Sequence, residues 1–194
     1  MQRSPPDLKS IFVDFCEHFD GRLLWKRRGK GWTGPILEFF AGKAEEYGYR
    51  HQGEYMAIDQ VWWSETGDIE LALEHEGQIR DAGQLLKKEI SHLIDLKALR
   101  KLLIAYVSEP DEKTLIDNVV ARLQTHRLKV AYPSEEYMII IGRPVRRSGK
   151  PVLLFRRHLF YNNGSQIAAP EDLVVRQAKI LAKGYLVRSD LILS

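Results

Sequence analysis

The sequence predicts an α/β (α+β) fold in which a central mixed β-sheet is flanked by helices. Apolar residues recur at helical spacing in two segments before residue 48, which predicts two N-terminal helices. Short apolar segments that are typical of strands then alternate with further segments of helical periodicity. Residues 101–107 are almost continuously apolar, a pattern that is common in parallel strands covered on both faces.

The composition indicates a single globular domain that spans the 194 residues. Hydrophobic residues make up 44% and charged residues 28% of the chain, as in ordinary globular proteins. The net charge of +3 is too small to indicate a polyanionic partner by itself. Cys16 is the single cysteine, which excludes an internal disulfide framework and fits a reducing compartment. Because no apolar run reaches the roughly 20 residues that cross a bilayer and no signal-peptide core is present, we expect a cytoplasmic protein.

Two helices are predicted in the N-terminal quarter of the chain. The first begins near Pro5, a residue type that is favoured in the first helical turn, and ends before Gly21. The second begins at Pro35 and ends at Gly48. Glu38 lies in its first turn, where the helix dipole favours a carboxylate, so this position alone does not indicate a functional role.

A basic, glycine-containing loop separates these two helices and has a tryptophan near each end. Its cations have no acidic neighbour within the loop, and they are Lys26, Arg27, Arg28 and Lys30. Such a loop is either a solvated surface segment or a point of contact with nucleic-acid phosphates.

Residues 55–76 predict two strands that are joined by a short turn. The first strand carries Asp59 among apolar residues, and the second ends in Glu74 and Glu76. Because the side chains of a strand alternate between its faces, Glu74 and Glu76 point the same way. Three acids at the ends of adjacent strands form an arrangement that binds a hard divalent cation. His75, between the two glutamates, lacks the spacing of a zinc-binding motif.

The expected metal is Mg²⁺ (or Mn²⁺), held by one or two oxygens each from Asp59 and Glu74. Such an ion can activate water and stabilise negative charge on a scissile phosphate. Glu76, on the same face, would orient or deprotonate the attacking water. The alternative is structural: Asp59 pairs with a buried cation, while Glu74 and Glu76 form the solvated end of an edge strand.

Further helices are predicted in the second half of the chain. A helix over residues 84–97 carries Lys97 within its apolar stripe, where the lysine either snorkels to solvent or points back toward the acids. A last helix is predicted to begin at Pro170 and to end at Gly184, before an edge strand that closes the sheet.

The densest basic stretch lies between two strands that are predicted at residues 137–142 and 151–161. Six Lys or Arg and no acid occur from Arg143 to Arg157. The loop between these strands would contact the phosphate backbone of a nucleic acid. Its cations are Arg143, Arg146, Arg147 and Lys150.

The order of these elements resembles the PD-(D/E)xK nuclease superfamily, which has the restriction-endonuclease-like fold, over residues 34–107, with the rest of the chain added to that core. Asp59 matches the first acid of the superfamily's motif and Glu74 matches the second. Glu76 stands where the motif usually has a lysine, as in the acid-x-glutamate variants of the superfamily. Ile58 stands in place of the usual proline.

The resemblance implies a Mg²⁺-dependent endonuclease that acts on DNA, with Asp59, Glu74 and Glu76 as its catalytic site. Glu38 resembles the acid of the superfamily's first core helix, and Lys97 is the candidate for a displaced lysine. A homodimer is compatible with this function, because duplex cleavage commonly needs two sites. Two alternatives stay open. The missing lysine at position 76 favours a non-catalytic nucleic-acid- or protein-binding module on the same scaffold, and the basic stretch would also suit an interaction protein with an acidic partner.

Overall fold

The computed structural model describes residues 7–23, 32–79, 81–125, 135–177, 179–180 and 186–187. Within these residues the chain forms a seven-stranded mixed β-sheet with helices on both of its faces. The predicted α/β fold, a central mixed sheet flanked by helices, is confirmed. In the same part of the chain, every helix is too short or too polar to cross a membrane.

The elements follow the sequence in an interleaved order. The helices are α1 (Leu8–Phe19), α2 (Thr33–Tyr47), α3 (Ala82–Leu85), α4 (Ser91–Asp95) and α5 (Glu109–Thr125), and a π-helical stretch (Leu86–Ile90) joins α3 to α4. The strands of the sheet are β1 (Arg50–Tyr55), β2 (Ile58–Trp63), β3 (Ile69–Ile79), β4 (Arg100–Tyr106), β5 (Glu136–Arg147), β6 (Lys150–Tyr161) and β7 (Gln166–Arg176). A separate pair consists of β8 (Lys179–Ile180) and β9 (Leu186–Val187).

The strands lie in the sheet in their sequence order, from β1 to β7. Strands β1, β2 and β3 form an antiparallel meander, and β5, β6 and β7 form a second one. Between the two meanders, β3, β4 and β5 run parallel. Parallel neighbours need a crossover connection, and here the α3–α4 segment and α5 supply the two crossovers. The carboxyl ends of β3, β4 and β5 therefore lie at one edge of the sheet.

The sheet separates two hydrophobic cores. One core contains α1 and α2 and includes Leu71 and Leu73 from β3. The other contains α3, α4 and α5 and includes Ala72 from the same strand. Since side chains alternate along a strand, Glu74 points to the α3–α5 face and His75 points to the α1–α2 face. This alternation decides which side of the sheet carries the acids.

The predicted last helix from Pro170 to Gly184 is wrong, because the chain forms strand β7 at Pro170 and the residues around it. In the pairing with β6, Glu171 lies opposite Arg157 and Ala168 lies opposite Leu159. Two residues of β7, one of them Pro170, therefore stand opposite a single residue of β6. Such a β-bulge accommodates a proline, which has no amide hydrogen for the ladder. Of the edge strand predicted after this helix, only β9 lies within the described residues.

The predicted helix over residues 84–97 differs from the structure at both ends. It begins at Ala82, passes through the π-helical stretch and ends at Asp95, with Leu96 extended at φ −77° and ψ 135°. Lys97 therefore lies outside the helix. A π-helical turn adds a residue to one turn and shifts the face on which later side chains lie. A regular helical period fitted to the sequence misses this shift.

The predicted basic loop at residues 143–150 is mostly the end of a long hairpin. Strand β5 continues to Arg147 and β6 starts at Lys150, so only Ser148 and Gly149 form the turn. Both turn residues have positive φ angles, 48° and 75°. Two consecutive left-handed residues match the twist of the flanking strands in a two-residue hairpin. The basic residues are therefore held on a β-ribbon.

Candidate metal centre

The pairing of β2 with β3 brings Asp59 and Glu74 together. Gln60 lies opposite Leu73 in this antiparallel pair, so Asp59 lies opposite Glu74 and both point to the α3–α5 face. A two-residue turn with positive φ angles, 50° at Met56 and 64° at Ala57, leads directly into β2. This tight turn fixes the start of the strand that carries Asp59.

Hydrogen bonds hold the two acids across the strands. The backbone N–H of His75 donates to Asp59 Oδ2 at 2.7 Å. The backbone N–H of Asp59 donates to Glu74 Oε2 at 3.4 Å. Besides burial, the charge of Asp59 raises the pKa of Glu74, so the two side-chain carboxyl groups lie close to each other.

Glu74 is the most deeply buried of the predicted site residues that the structure describes, with 3% of its surface exposed. Its Oε1 atom has no hydrogen-bond partner among the described residues. Burial, and secondarily the charge of Asp59, raise the pKa of Glu74 to about 9. Burial is also the main reason that the pKa of Asp59 is raised. A bound cation would remove this penalty, because it would allow both carboxylates to be ionised together.

Two further residues, Glu89 and His92, form a cluster of possible metal ligands with Glu74. Neither is among the site residues predicted from the sequence. Glu89 lies in the π-helical stretch and His92 in α4. One ligand atom from each of Glu74, Glu89 and His92 lies within 4.8 Å of the others, so this group could hold a metal ion. His92 Nδ1 is 3.9 Å from Glu74 Oε1. The spacing of Glu89 and His92, three residues apart in a helical segment, is the signal that could have identified them.

Glu76 lies beside this cluster and is half-buried. Its charge contributes to the raised pKa of Asp59, for which burial is the main cause. It contributes in the same way to the raised pKa of Glu89. Of the three acids predicted from the sequence, Asp59 therefore lies within electrostatic reach of both Glu74 and Glu76.

Glu38 and Lys97 lie elsewhere. Glu38 is exposed on α2 and lines a cleft of about 540 Å³ between α1 and α2, on the opposite side of the sheet from Glu74. Lys97 is exposed and precedes β4, whose Leu103 is the residue that pairs with Glu74. Leu103 comes six positions after Lys97, so this lysine lies toward the other end of the sheet. The structure brings neither residue to the acids.

His75 occupies the face of the sheet away from the acids. Its Nδ1 lies 3.1 Å from Thr33 Oγ1, and its Nε2 lies 3.2 Å from the Tyr106 hydroxyl. Burial lowers the pKa of His75 to about 4, so the imidazole is neutral at pH 7. These contacts fix the strand position from which the His75 amide reaches Asp59. The imidazole itself is not directed at the cluster.

The basic hairpin extends from the edge of the sheet at which Glu76 lies. Gly142 of β5 pairs with Tyr106, at the carboxyl end of β4. Residues 143–147 continue beyond that point by about 16 Å at the usual rise per residue. Three of the predicted cations are exposed there: Arg146, Arg147 and Lys150. The other predicted basic group, Lys26, Arg27, Arg28 and Lys30, lies outside the described residues.

Arg143 differs from the other hairpin cations because it is held at the base of the ribbon. It donates to Glu112 of α5 at 3.0 Å, and Arg156 and His158 each lie 3.1 Å from the same carboxylate. Although burial pushes the pKa of Glu112 upward, His158 and the two guanidinium groups hold it below its ordinary value. This network attaches the hairpin to α5.

No protein-family model matches the chain, and no curated protein matches it either. Among solved structures, the central domain of yeast acetyl-CoA carboxylase is similar with a TM-score of 0.38 and 16% identity, over 76% of this chain and 25% of that chain. The chain thus spans about a quarter of that protein's length. A likeness at this level carries no argument about fold or function.

Proposed function

We propose that the protein is a metal-dependent nuclease that hydrolyses phosphodiester bonds of DNA, with Asp59 and Glu74 holding Mg²⁺ or Mn²⁺. The observation that carries the proposal is the Glu74 carboxyl group, which is 3% exposed and lies close to the carboxyl group of Asp59. Burying an acid beside another acid is unfavourable unless a cation or a proton compensates. A divalent ion satisfies both groups.

Each acid has a separate task in this proposal. Asp59 Oδ2 accepts the hydrogen bond from the His75 amide, so Oδ1 would be the oxygen that binds the ion. Glu74 is oriented by the Asp59 amide. Glu76 is half-buried beside them and would accept a proton from the attacking water. The ion, when bound, would supply Lewis-acid stabilisation of the charge that develops on the phosphate.

The basic hairpin supports DNA as the substrate. Its exposed cations, Arg146, Arg147 and Lys150, are carried on a ribbon that extends from the same edge of the sheet as the acids. Phosphate contacts of this kind position a nucleic acid without reading its sequence. A duplex whose backbone lies along the ribbon would have a phosphate near Asp59 and Glu74.

Cleavage of supercoiled plasmid tests the proposal. The full chain should nick the plasmid in Mg²⁺ or Mn²⁺ and not in EDTA. Asp59→Asn should lower the rate at least about a hundredfold, since metal stabilisation of the transition state is worth several kcal/mol. Glu38→Gln, an exposed glutamate on the opposite side of the sheet, is the matched control and should cleave like the wild type. Equal cleavage by Asp59→Asn, or none with either metal, would refute the proposal.

A non-catalytic DNA-binding module on the same scaffold is the second candidate. Two observations favour it: Glu76 stands at the usual lysine position, and Lys97 lies toward the other end of the sheet. This function predicts salt-dependent DNA binding that is unchanged by Asp59→Asn and by removal of the metal. Metal-dependent cleavage by the wild type would exclude it.

A further inference from the structure

We propose that Glu74, Glu89 and His92 form a separate ion site that selects a first-row transition metal, such as Mn²⁺, over Mg²⁺. The site is distinct from the pair formed by Asp59 and Glu74, and it involves the other oxygen of Glu74. It rests on the proposed function only through this shared carboxylate. Neither Glu89 nor His92 is a ligand in the proposed nuclease site.

The two oxygens of Glu74 face different neighbours. Oε2 accepts the hydrogen bond from the Asp59 amide. Oε1 is 3.9 Å from His92 Nδ1 and has no hydrogen-bond partner among the described residues. Since 3% of Glu74 is exposed, water does not readily satisfy this oxygen. A buried carboxylate oxygen without a partner is unfavourable, and a cation on the His92 side would satisfy it.

The distances fit a small divalent ion after a minor adjustment. Bonds from such an ion to nitrogen and oxygen ligands are about 2.1 Å long, so two ligand atoms lie at most about 4.2 Å apart. The ligand atoms of Glu74, Glu89 and His92 lie within 4.8 Å of one another. His92 is 45% exposed at its side chain, so its ring has room to move by the few tenths of an ångström that remain.

The helix that carries the two further ligands is suited to this role. Glu89 and His92 are three residues apart, a spacing that places two side chains on the same helix face. Glu89 lies in the π-helical stretch, and a π-helical turn is frequently found at a functional site. An ordinary surface pair of Glu89 and His92 would leave Glu74 Oε1 unexplained.

The ligand set determines the class of metal. Mg²⁺ and Ca²⁺ are bound almost entirely by oxygen, whereas an imidazole nitrogen favours first-row transition metals. Two carboxylates and one imidazole therefore discriminate against Mg²⁺. Mn²⁺ accepts both ligand types and serves as the probe ion.

Mn²⁺ binding to the metal-free full chain, followed by the electron paramagnetic resonance signal of the free ion, tests this site. The wild type should bind two Mn²⁺ per chain. His92→Ala should lower the affinity for one of these ions at least tenfold. Removing a residue that only hydrogen-bonds to a metal ligand already lowers metal affinity about 10- to 100-fold. Asp59→Asn should weaken the other ion and leave the His92 ion in place. Glu38→Gln should match the wild type.

His92→Asp tests the selectivity directly. This variant keeps a ligand at the position but replaces nitrogen with oxygen, so its preference for Mn²⁺ over Mg²⁺ should fall at least tenfold. In Asp59→Asn, which lacks the neighbouring ion, Mn²⁺ should still broaden the His92 ring resonances in the proton NMR spectrum. The inference is overturned if His92→Ala binds Mn²⁺ as the wild type does, or if the His92 resonances are not broadened.

These outcomes separate the two proposals. If Asp59→Asn abolishes cleavage while His92→Ala binds Mn²⁺ normally, the nuclease proposal stands and the His92 site fails. If no DNA is cleaved but Asp59→Asn still binds one Mn²⁺ that His92→Ala has lost, the nuclease proposal fails and the His92 site stands.

Discussion

Glu74→Gln should make the metal-free protein more stable at neutral pH. Burial first, and then the charge of Asp59, raise the pKa of Glu74 from the ordinary 4.5 to about 9. A group whose pKa is higher in the folded chain stabilises the fold fully below its unfolded pKa and loses that contribution as the pH rises toward the folded pKa. The wild type should therefore lose stability between pH 4.5 and pH 9. Glutamine has no proton to lose and removes this dependence.

The size of the stability difference between Glu74→Gln and the wild type at pH 7 follows from the same two pKa values. The interval from the ordinary pKa of 4.5 up to pH 7 lies wholly below the folded pKa of about 9. Each pH unit in that interval is worth about 1.36 kcal/mol, so the wild type should lose about 3 kcal/mol relative to Glu74→Gln by pH 7. This is a large fraction of the free energy of unfolding of an ordinary domain.

Urea unfolding in EDTA at several pH values between 5 and 8 measures this difference. The free energy of unfolding of Glu74→Gln, relative to the wild type, should increase steadily with pH. Addition of Mn²⁺ should stabilise the wild type and not the variant, because a ligand stabilises only the state that binds it. Glu38→Gln should follow the wild type throughout. A difference between Glu74→Gln and the wild type that stays constant with pH would refute the reasoning.

Three further predictions concern the rest of the molecule. Lys101→Met should destabilise the protein by about 3–5 kcal/mol in urea unfolding, because it leaves Glu135, its buried ion-pair partner, uncompensated; an unchanged stability would contradict the pairing. Gly142→Ala should lower the free energy of unfolding by about 1–3 kcal/mol, since the added Cβ would lie 2.6 Å from a ring carbon of Tyr106. An unchanged free energy of unfolding would show that the rings move aside. Combined alanine substitution of the exposed hairpin cations should weaken DNA binding and lower its salt slope by roughly 2 to 3, whereas Lys9→Ala on α1 should not. The variant carries Arg146→Ala, Arg147→Ala and Lys150→Ala.

The sheet and the pairing of its acids follow from local patterns in the sequence. A strand alternates its side chains, so Glu74 had to lie on the face away from His75. The short turn between the two apolar segments predicted that the strand with Asp59 pairs with the strand with Glu74. Both predictions use only the two-residue alternation of side chains along a strand and the position of a turn. Neither needs tertiary information. This is why the two central residues of the candidate site could be predicted.

Other parts of the site depend on irregular backbone that a regular period does not describe. Glu89 lies in the π-helical stretch and His92 follows it, whereas the regular helical period over residues 84–97 favoured Lys97 instead. Pro170 was interpreted as the start of a helix, although a β-bulge accommodates it within a strand. In both cases one additional residue in the backbone changes which side chains share a face.

The central claim is that the carboxylates of Asp59 and Glu74 form a divalent metal centre. Anomalous X-ray diffraction from a crystal of the full chain soaked in Mn²⁺ tests it most directly. We predict an anomalous peak within about 2.0–2.3 Å of a carboxylate oxygen from each residue. A well-occupied Mn²⁺ elsewhere on the protein, with no peak between Asp59 and Glu74, would contradict the claim.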